Sequence, residues 1–153
     1  MIPKEIFIHH SFMKDGLTVS WGAIRKYHMT PAIQGGPADG PWKDIGYHGG
    51  IELVESGGVP YFEILVGRLW NVQGAHAGPG HNAESLGFCF IGNYDLGGPP
   101  AEMLDRGARF IKSCWMGPYE IPVERVHRHS EVAAKTCPGT LFPWTHFIDL
   151  LRG

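Results

Sequence analysis

The chain is short of charge, of lysine, of cysteine and of long apolar runs, and each shortage excludes something. Charged residues make up 18% of the 153 positions, with a net charge of -2 and a pI near 6.5. That removes the simple electrostatic case for binding nucleic acid or an anionic membrane. No stretch approaches the roughly 20 apolar residues needed to span a bilayer. Lys4 and Glu5 stand in the first dozen residues with no apolar core or small-residue cleavage site behind them, so no signal peptide is visible and a cytoplasmic location is expected. Three cysteines do not make a full disulfide set. Cys89 lies in the apolar run Gly87-Phe88-Cys89-Phe90-Ile91, and Cys114 falls on the apolar face of an expected helix. Both read as small buried hydrophobes. Cys137, between Thr136 and Pro138, is the thiol in polar company.

What the chain does have is enough apolar material, 43%, for the core of a single domain covering residues 1–153. Its 22 glycines and 12 prolines predict many loops. Nine histidines against six lysines point to metal or acid–base chemistry.

Hydrophobic periodicity gives the element order β-α-β-β-β-α-β-α, an α/β domain with a mixed central sheet flanked by about three helices. The first strand is Glu5 to His9, β-branched and aromatic. Thr18 offers a cap for a helix over 19–29, with Trp21, Ile24 and His28 on one face. Residues 34–41 are turn formers. Strands are expected at about 45–54, 60–66 and 86–92, with a Gly/His-rich loop over 74–82. A long helix follows from Pro100 to Trp115, then a strand at 123–129 and a last helix opened by Pro143.

His9 and His10 are adjacent at a strand end, so their side chains point to opposite faces and one of them at most reaches a given metal. His127 and His129 are two apart and share a face. Cys137 follows His129 across a loop containing Lys135. Nitrogen and sulfur ligands, three from the protein with one position open, form the usual catalytic zinc arrangement. Spacing alone leaves the third ligand open among His9, His10 and His127.

Five blocks occur in order: Phe7-Ile8-His9-His10-Ser11; Asp44-Ile45-Gly46-Tyr47-His48; Gly74-Ala75-His76-Ala77 with Asn82; Ser85-Leu86-Gly87; and His129-Ser130-Glu131-Val132-Ala133-Ala134-Lys135-Thr136-Cys137-Pro138. This succession resembles the zinc-dependent N-acetylmuramoyl-L-alanine amidases of the type 2 amidase and peptidoglycan-recognition-protein family, above all its short phage endolysins. The resemblance runs from about residue 5 to residue 140, and the terminal His-x7-Cys with its internal lysine is its most specific part. It implies that His9, His129 and Cys137 bind zinc, with His10 facing away and His127 a strand neighbour. Tyr47 matches the tyrosine beside the reacting water, and Lys135 the lysine that stabilises the oxyanion. His76 and Asn82 are expected at the substrate. His48, next to Tyr47 on the expected strand, should face the other way.

One departure matters. Many relatives place a general-base glutamate in the strand beginning near Gly87; here that position holds Cys89, and an apolar thiol does not do a carboxylate's work. Glu131 is the nearby carboxylate, expected to bind local backbone or solvent. The implied activity is hydrolysis of the amide between the lactyl group of N-acetylmuramic acid and L-alanine, with peptidoglycan or muropeptides as partner and action on the cell wall after release. Recognition of peptidoglycan without cleavage is the alternative on the same fold. A regulatory contact with a polymerase is a further implication of the resemblance, for which the chain offers no residue-level support. Trp42 and Trp70 have faces suited to sugar rings, although tryptophans in a domain of this size are more often core.

Overall fold

The computed structural model of the chain describes residues 1–12 and 20–153. Five strands form one sheet among them: β1 (Glu5–His10), β2 (Gly49–Ser56), β3 (Val59–Val66), β4 (Ser85–Phe90) and β5 (Val126–Arg128). Three longer helices accompany it: α1 (Trp21–His28), α2 (Ala101–Phe110) and α3 (Trp144–Arg152). The sheet order is β3-β2-β4-β1-β5. β1 lies parallel to both β4 and β5, and β4 parallel to β2, while β2 and β3 form an antiparallel hairpin. Gly57 and Gly58 both have positive φ, 59° and 79°, the backbone a two-residue hairpin turn requires. The expected single α/β fold with a mixed sheet is the one observed.

Alternation along β1 divides the molecule into two layers. Ile6 and Ile8 join Leu86, Phe88 and Phe90 of β4 on the face covered by Met103, Leu104 and Ala108 of α2 and by Phe147 and Leu151 of α3. The opposite face carries Phe7, His9 and Cys89, and packs with Trp21 and Ile24 of α1 and with Ile45 and Ile91. α1 is tied to the sheet at its start, where the backbone N–H of Trp21 donates to the buried Glu52 carboxylate at 2.7 Å. A negative group there also suits the positive end of the helix dipole.

Several boundaries differ from expectation. Ser20 caps α1 by accepting from the N–H of Ala23; the expected cap, Thr18, lies outside the described residues. The second strand begins at Gly49, four residues late. Residues 44–48 are instead held by side chains: Arg68 donates to the carbonyls of Asp44, Ile45 and Gln73, and Gly46 N–H donates to His28 Nδ1. The helix expected through Trp115 is α-helical only to Phe110 and continues as a π-helical segment, Ile111–Met116. Cys114, in this segment, is half-buried and packs against the edge of the core. The strand expected over 123–129 shrinks to three residues between two 3-10 turns, so His129 opens a turn instead of ending a strand. Trp70 packs edge-on against Phe110 and Trp115, which places it with the core. Among the described residues, no helix is long and apolar enough to cross a membrane.

Candidate metal centre

The C-terminal ends of the parallel strands bring the histidines together, the side of such sheets where ligands ordinarily sit. His9, near the end of β1, is 1% exposed. His129 follows β5 directly. Because Phe7 pairs with His127, position 129 comes level with position 9, and the two imidazoles lie 4.6 Å apart between ring centres. Cys137 is returned to the same place by its loop. Ser130 N–H donates to the Cys137 carbonyl at 2.8 Å, and the Asp95 carboxylate accepts from the Thr136 hydroxyl and from Thr140 N–H. Asp95 was missed in the sequence because its partners lie some forty residues downstream. Cys137 Sγ in turn accepts from His10 N–H at 3.4 Å.

One ligand atom each of His9, His129 and Cys137 lies within 4.8 Å of the others, and all three residues are buried. His9 Nδ1 is 3.7 Å from Cys137 Sγ. Tetrahedral zinc with bonds of ordinary length separates a nitrogen and a sulfur ligand by about 3.6 Å. The protonation states suit a cation as well. Burial, followed by the neighbouring His76, pushes His9 well below its usual range, and burial with Lys135 pushes His129 down to about 4, so both rings are neutral donors. Burial pushes the Cys137 thiol up to about 12, opposed by the His10 N–H and Lys135; a bound cation favours the thiolate instead. Among the described residues, the charges that act most on His9 are His76, His129, Lys135 and His10, with no carboxylate among them. The donor set and its spacing therefore fit zinc.

The remaining expected residues divide in two. Tyr47 is beside the cluster, 5.1 Å from the His9 ring, and is backed by Trp21 and His28. Burial raises its phenol well above the usual range, so its hydroxyl stays protonated. Lys135 is exposed at the rim, and its charge reaches both histidines and the thiol. His10 faces away, as alternation requires, with Nδ1 accepting from Tyr94 N–H.

His76 is placed otherwise than expected. It is buried behind His9, its Nδ1 3.1 Å from His9 Nε2, and not displayed on an open surface. Asn82 uses its side-chain oxygen internally, accepting from the N–H groups of His76 and Ala77. His127 shares the sheet face of His9 but lies one layer back against Phe7, bonded to Glu131. Glu131 itself accepts from Arg128 N–H, as its position suggested. His48 points away from Tyr47, between Gly87 N–H and the Val72 carbonyl. Cys89 pairs with His9 across β1 and β4 and is fully buried, its thiol raised well above the ordinary range by burial.

Comparison with known proteins places the chain in a family. The family model described as N-acetylmuramoyl-L-alanine amidase matches residues 1–140. Peptidoglycan-recognition protein LB of Drosophila melanogaster is 36% identical over 95% of the chain, which spans 60% of that relative's length. The endolysin of Klebsiella phage KP32 is 29% identical over 89% of the chain and 80% of its own length. Among solved structures, the N-acetylmuramoyl-L-alanine amidase LysC from Clostridium intestinale URNW superposes with a TM-score of 0.71 at 26% identity, covering 99% of this chain and 86% of that one. With the family model spanning nearly the whole chain and the histidine–cysteine cluster inside it, this protein belongs to the N-acetylmuramoyl-L-alanine amidase family.

Proposed function

We propose that the protein is a zinc-dependent amidase that cleaves the bond between the lactyl group of N-acetylmuramic acid and L-alanine in peptidoglycan, as a cell-wall lytic enzyme. The observation that carries this reading is the thiol of Cys137 converging with His9 and His129 beside a protonated tyrosine and a rim lysine. His9, His129 and Cys137 would hold the metal. Zinc bound there would supply Lewis acidity to the attacking water and the amide carbonyl.

The chain's own groups do the rest. Lys135 places positive charge where negative charge develops on the tetrahedral carbon's oxygen, a contribution larger in the transition state than in the ground-state amide. The Tyr47 hydroxyl, kept protonated by burial, orients the water or donates to the developing charge. Among the described residues a carboxylate base has no support: Cys89 occupies the sheet position opposite His9, and Glu131 is engaged with Arg128 and His127.

Metal analysis of the purified protein, together with muropeptide digestion read by mass spectrometry, tests the reading. The expected result is one zinc per chain and release of the intact stem peptide from the lactyl group. Zinc with muropeptide binding but no cleavage would favour recognition without catalysis. A protein without zinc that still cleaves would overturn the mechanism.

A further inference from the structure

We propose that His76 is a positioning residue for the metal ligand His9: its Nδ1 accepts the His9 Nε2 proton and so leaves His9 Nδ1 bare and aimed at the space shared with His129 and Cys137. The inference rests on the metal centre proposed above and assigns its support.

The direction of this hydrogen bond follows from the two distances. His9 Nδ1 is the nitrogen 3.7 Å from Cys137 Sγ, while Nε2 is 3.1 Å from His76 Nδ1. A neutral imidazole carries one proton, and the nitrogen that binds a metal is the one without it. The His9 proton therefore sits on Nε2 and is donated to His76. His76 then carries its own proton on Nε2, a buried atom with no hydrogen-bond partner among the described residues, on a ring that the Ser85 backbone approaches.

The surroundings are built to keep the ring there. A Cβ added at Gly87 would fall 2.6 Å from the His76 ring, and one at Gly74 would fall 2.5 Å from it. Neither position has room for a Cβ, because the imidazole fills that space. Asn82 fixes the backbone of His76 through the two N–H groups it accepts from, at 2.9 and 2.8 Å. His48 stands edge-on at 5.5 Å and is itself pinned to Gly87 and Val72. Three loop or strand segments thus converge on one ring whose side-chain hydrogen bond is to His9.

The choice of partner has a chemical consequence. A carboxylate in this place would add negative charge behind a centre that already contains a thiolate when zinc is bound. An imidazole acceptor orients His9 equally well and adds none, which leaves the metal more electrophilic. Partners of this kind commonly change metal affinity by 10–100-fold when removed.

The test compares the parent with His76→Leu, which fills the slot without an acceptor, and His76→Asn, whose side-chain oxygen takes the place of Nδ1. Zinc affinity is read by chelator competition, and the His9 tautomer by two-bond nitrogen–proton NMR of the metal-free protein. We expect the parent to show His9 as the Nε2–H tautomer, the leucine variant to bind zinc roughly 10–100-fold more weakly, and the asparagine variant to recover most of that loss. A folded leucine variant with parental zinc affinity overturns the proposal, as does an Nδ1–H tautomer for His9 in the parent. Should the leucine variant not fold, the parental tautomer decides. A parent that binds no zinc would defeat the metal centre itself, an outcome separate from the tautomer measured without metal.

Discussion

The two faces of the central sheet are built from the same strands and are opposite in kind. On the face toward α2 and α3, Ile6, Ile8, Leu86, Phe88 and Phe90 are completely buried, and the aromatic rings of Phe88, Phe90, Phe110, Trp115, Phe142 and Phe147 meet mostly edge to face. On the other face, the residues one position along are Phe7, His9, Gly87 and Cys89, with His28, His48 and His76 buried above them. Burial is just as complete there, but it encloses polar rings that need partners. Apolar burial contributes stability in proportion to area, whereas a buried imidazole contributes little beyond what its hydrogen bonds return. The first face stabilises the sheet; the second uses that stability to hold ligands in one geometry.

The largest expected effects separate the faces most cleanly. Cys137→Ser should remove most zinc and reduce turnover to background while the metal-free protein melts close to the metal-free parent. Phe88→Ala, one residue from Cys89 but facing α2, should do the reverse: about 3–5 kcal/mol of stability lost, with zinc content per folded molecule unchanged. Metal analysis and denaturant melts of the two variants side by side make the comparison. A cysteine variant that retains full zinc would break the proposed ligand set.

Next in size are the groups proposed to act on the reacting atoms. Lys135→Ala should lower kcat by ~10²–10³, with a smaller change in KM, because the charge acts chiefly in the transition state. Tyr47→Phe keeps the ring against His9 and removes only the hydroxyl, so kcat should fall with zinc content and melting temperature preserved. Parental kcat in both, with zinc in place, would remove these two residues from the mechanism.

How much of this was legible in the sequence depends on the range of the interaction. The opposite facing of His9 and His10 follows from the period of a strand and holds in the structure. The fold class followed from elements with strong apolar patterning, β1 and β4 above all. The shared face of His127 and His129 was also legible. Which of them meets His9 was given by the family resemblance and not by spacing, because it depends on the register of β1 against β5, set between residues 120 positions apart. The place of His76 was hidden for a similar reason. Nothing near it in the chain announces that Gly87, on a strand beyond the loop, leaves a slot for its ring. Tyr47 matched a family motif, but its support by Arg68 and His28 is visible only once residues 44–48 are seen to be irregular.

A smaller effect comes from acid. His28 and His48 are both pushed from 6.5 to about 4, chiefly by burial, and both belong to the histidine-bearing face. Their folded values lie below the unfolded ones, so the unfolded chain takes up protons first as pH falls. Their contribution to stability is intact above about pH 6.5 and is lost progressively toward pH 4, at up to about 1.4 kcal/mol per pH unit for each ring. Denaturant midpoints between pH 7.5 and 4.5 should therefore fall, and His28→Gln should flatten the slope even if it weakens the protein at neutral pH. An unchanged slope would mean that the acid sensitivity arises elsewhere.

The smallest expected effect is at His127, and it bears on the comparison because this residue is on the right face at the wrong depth. Its ring stacks on Phe7, one layer behind the His9–His129 pair, and its Nδ1 is 3.1 Å from a Glu131 carboxylate already receiving Arg128 N–H. Its side chain is 25% exposed, against a ligand cluster buried throughout. Removing a partly exposed ring whose hydrogen-bond partner keeps a second donor should cost about 0.5 kcal/mol or less and leave zinc content unchanged. His129→Ala, two residues away, should lose the metal. Measured together, the two variants distinguish a site fixed by strand register from one fixed by the face alone: equal loss of zinc in both would mean that His127 and His129 act as a chelating pair and that the assignment of His9 to the cluster must be redrawn.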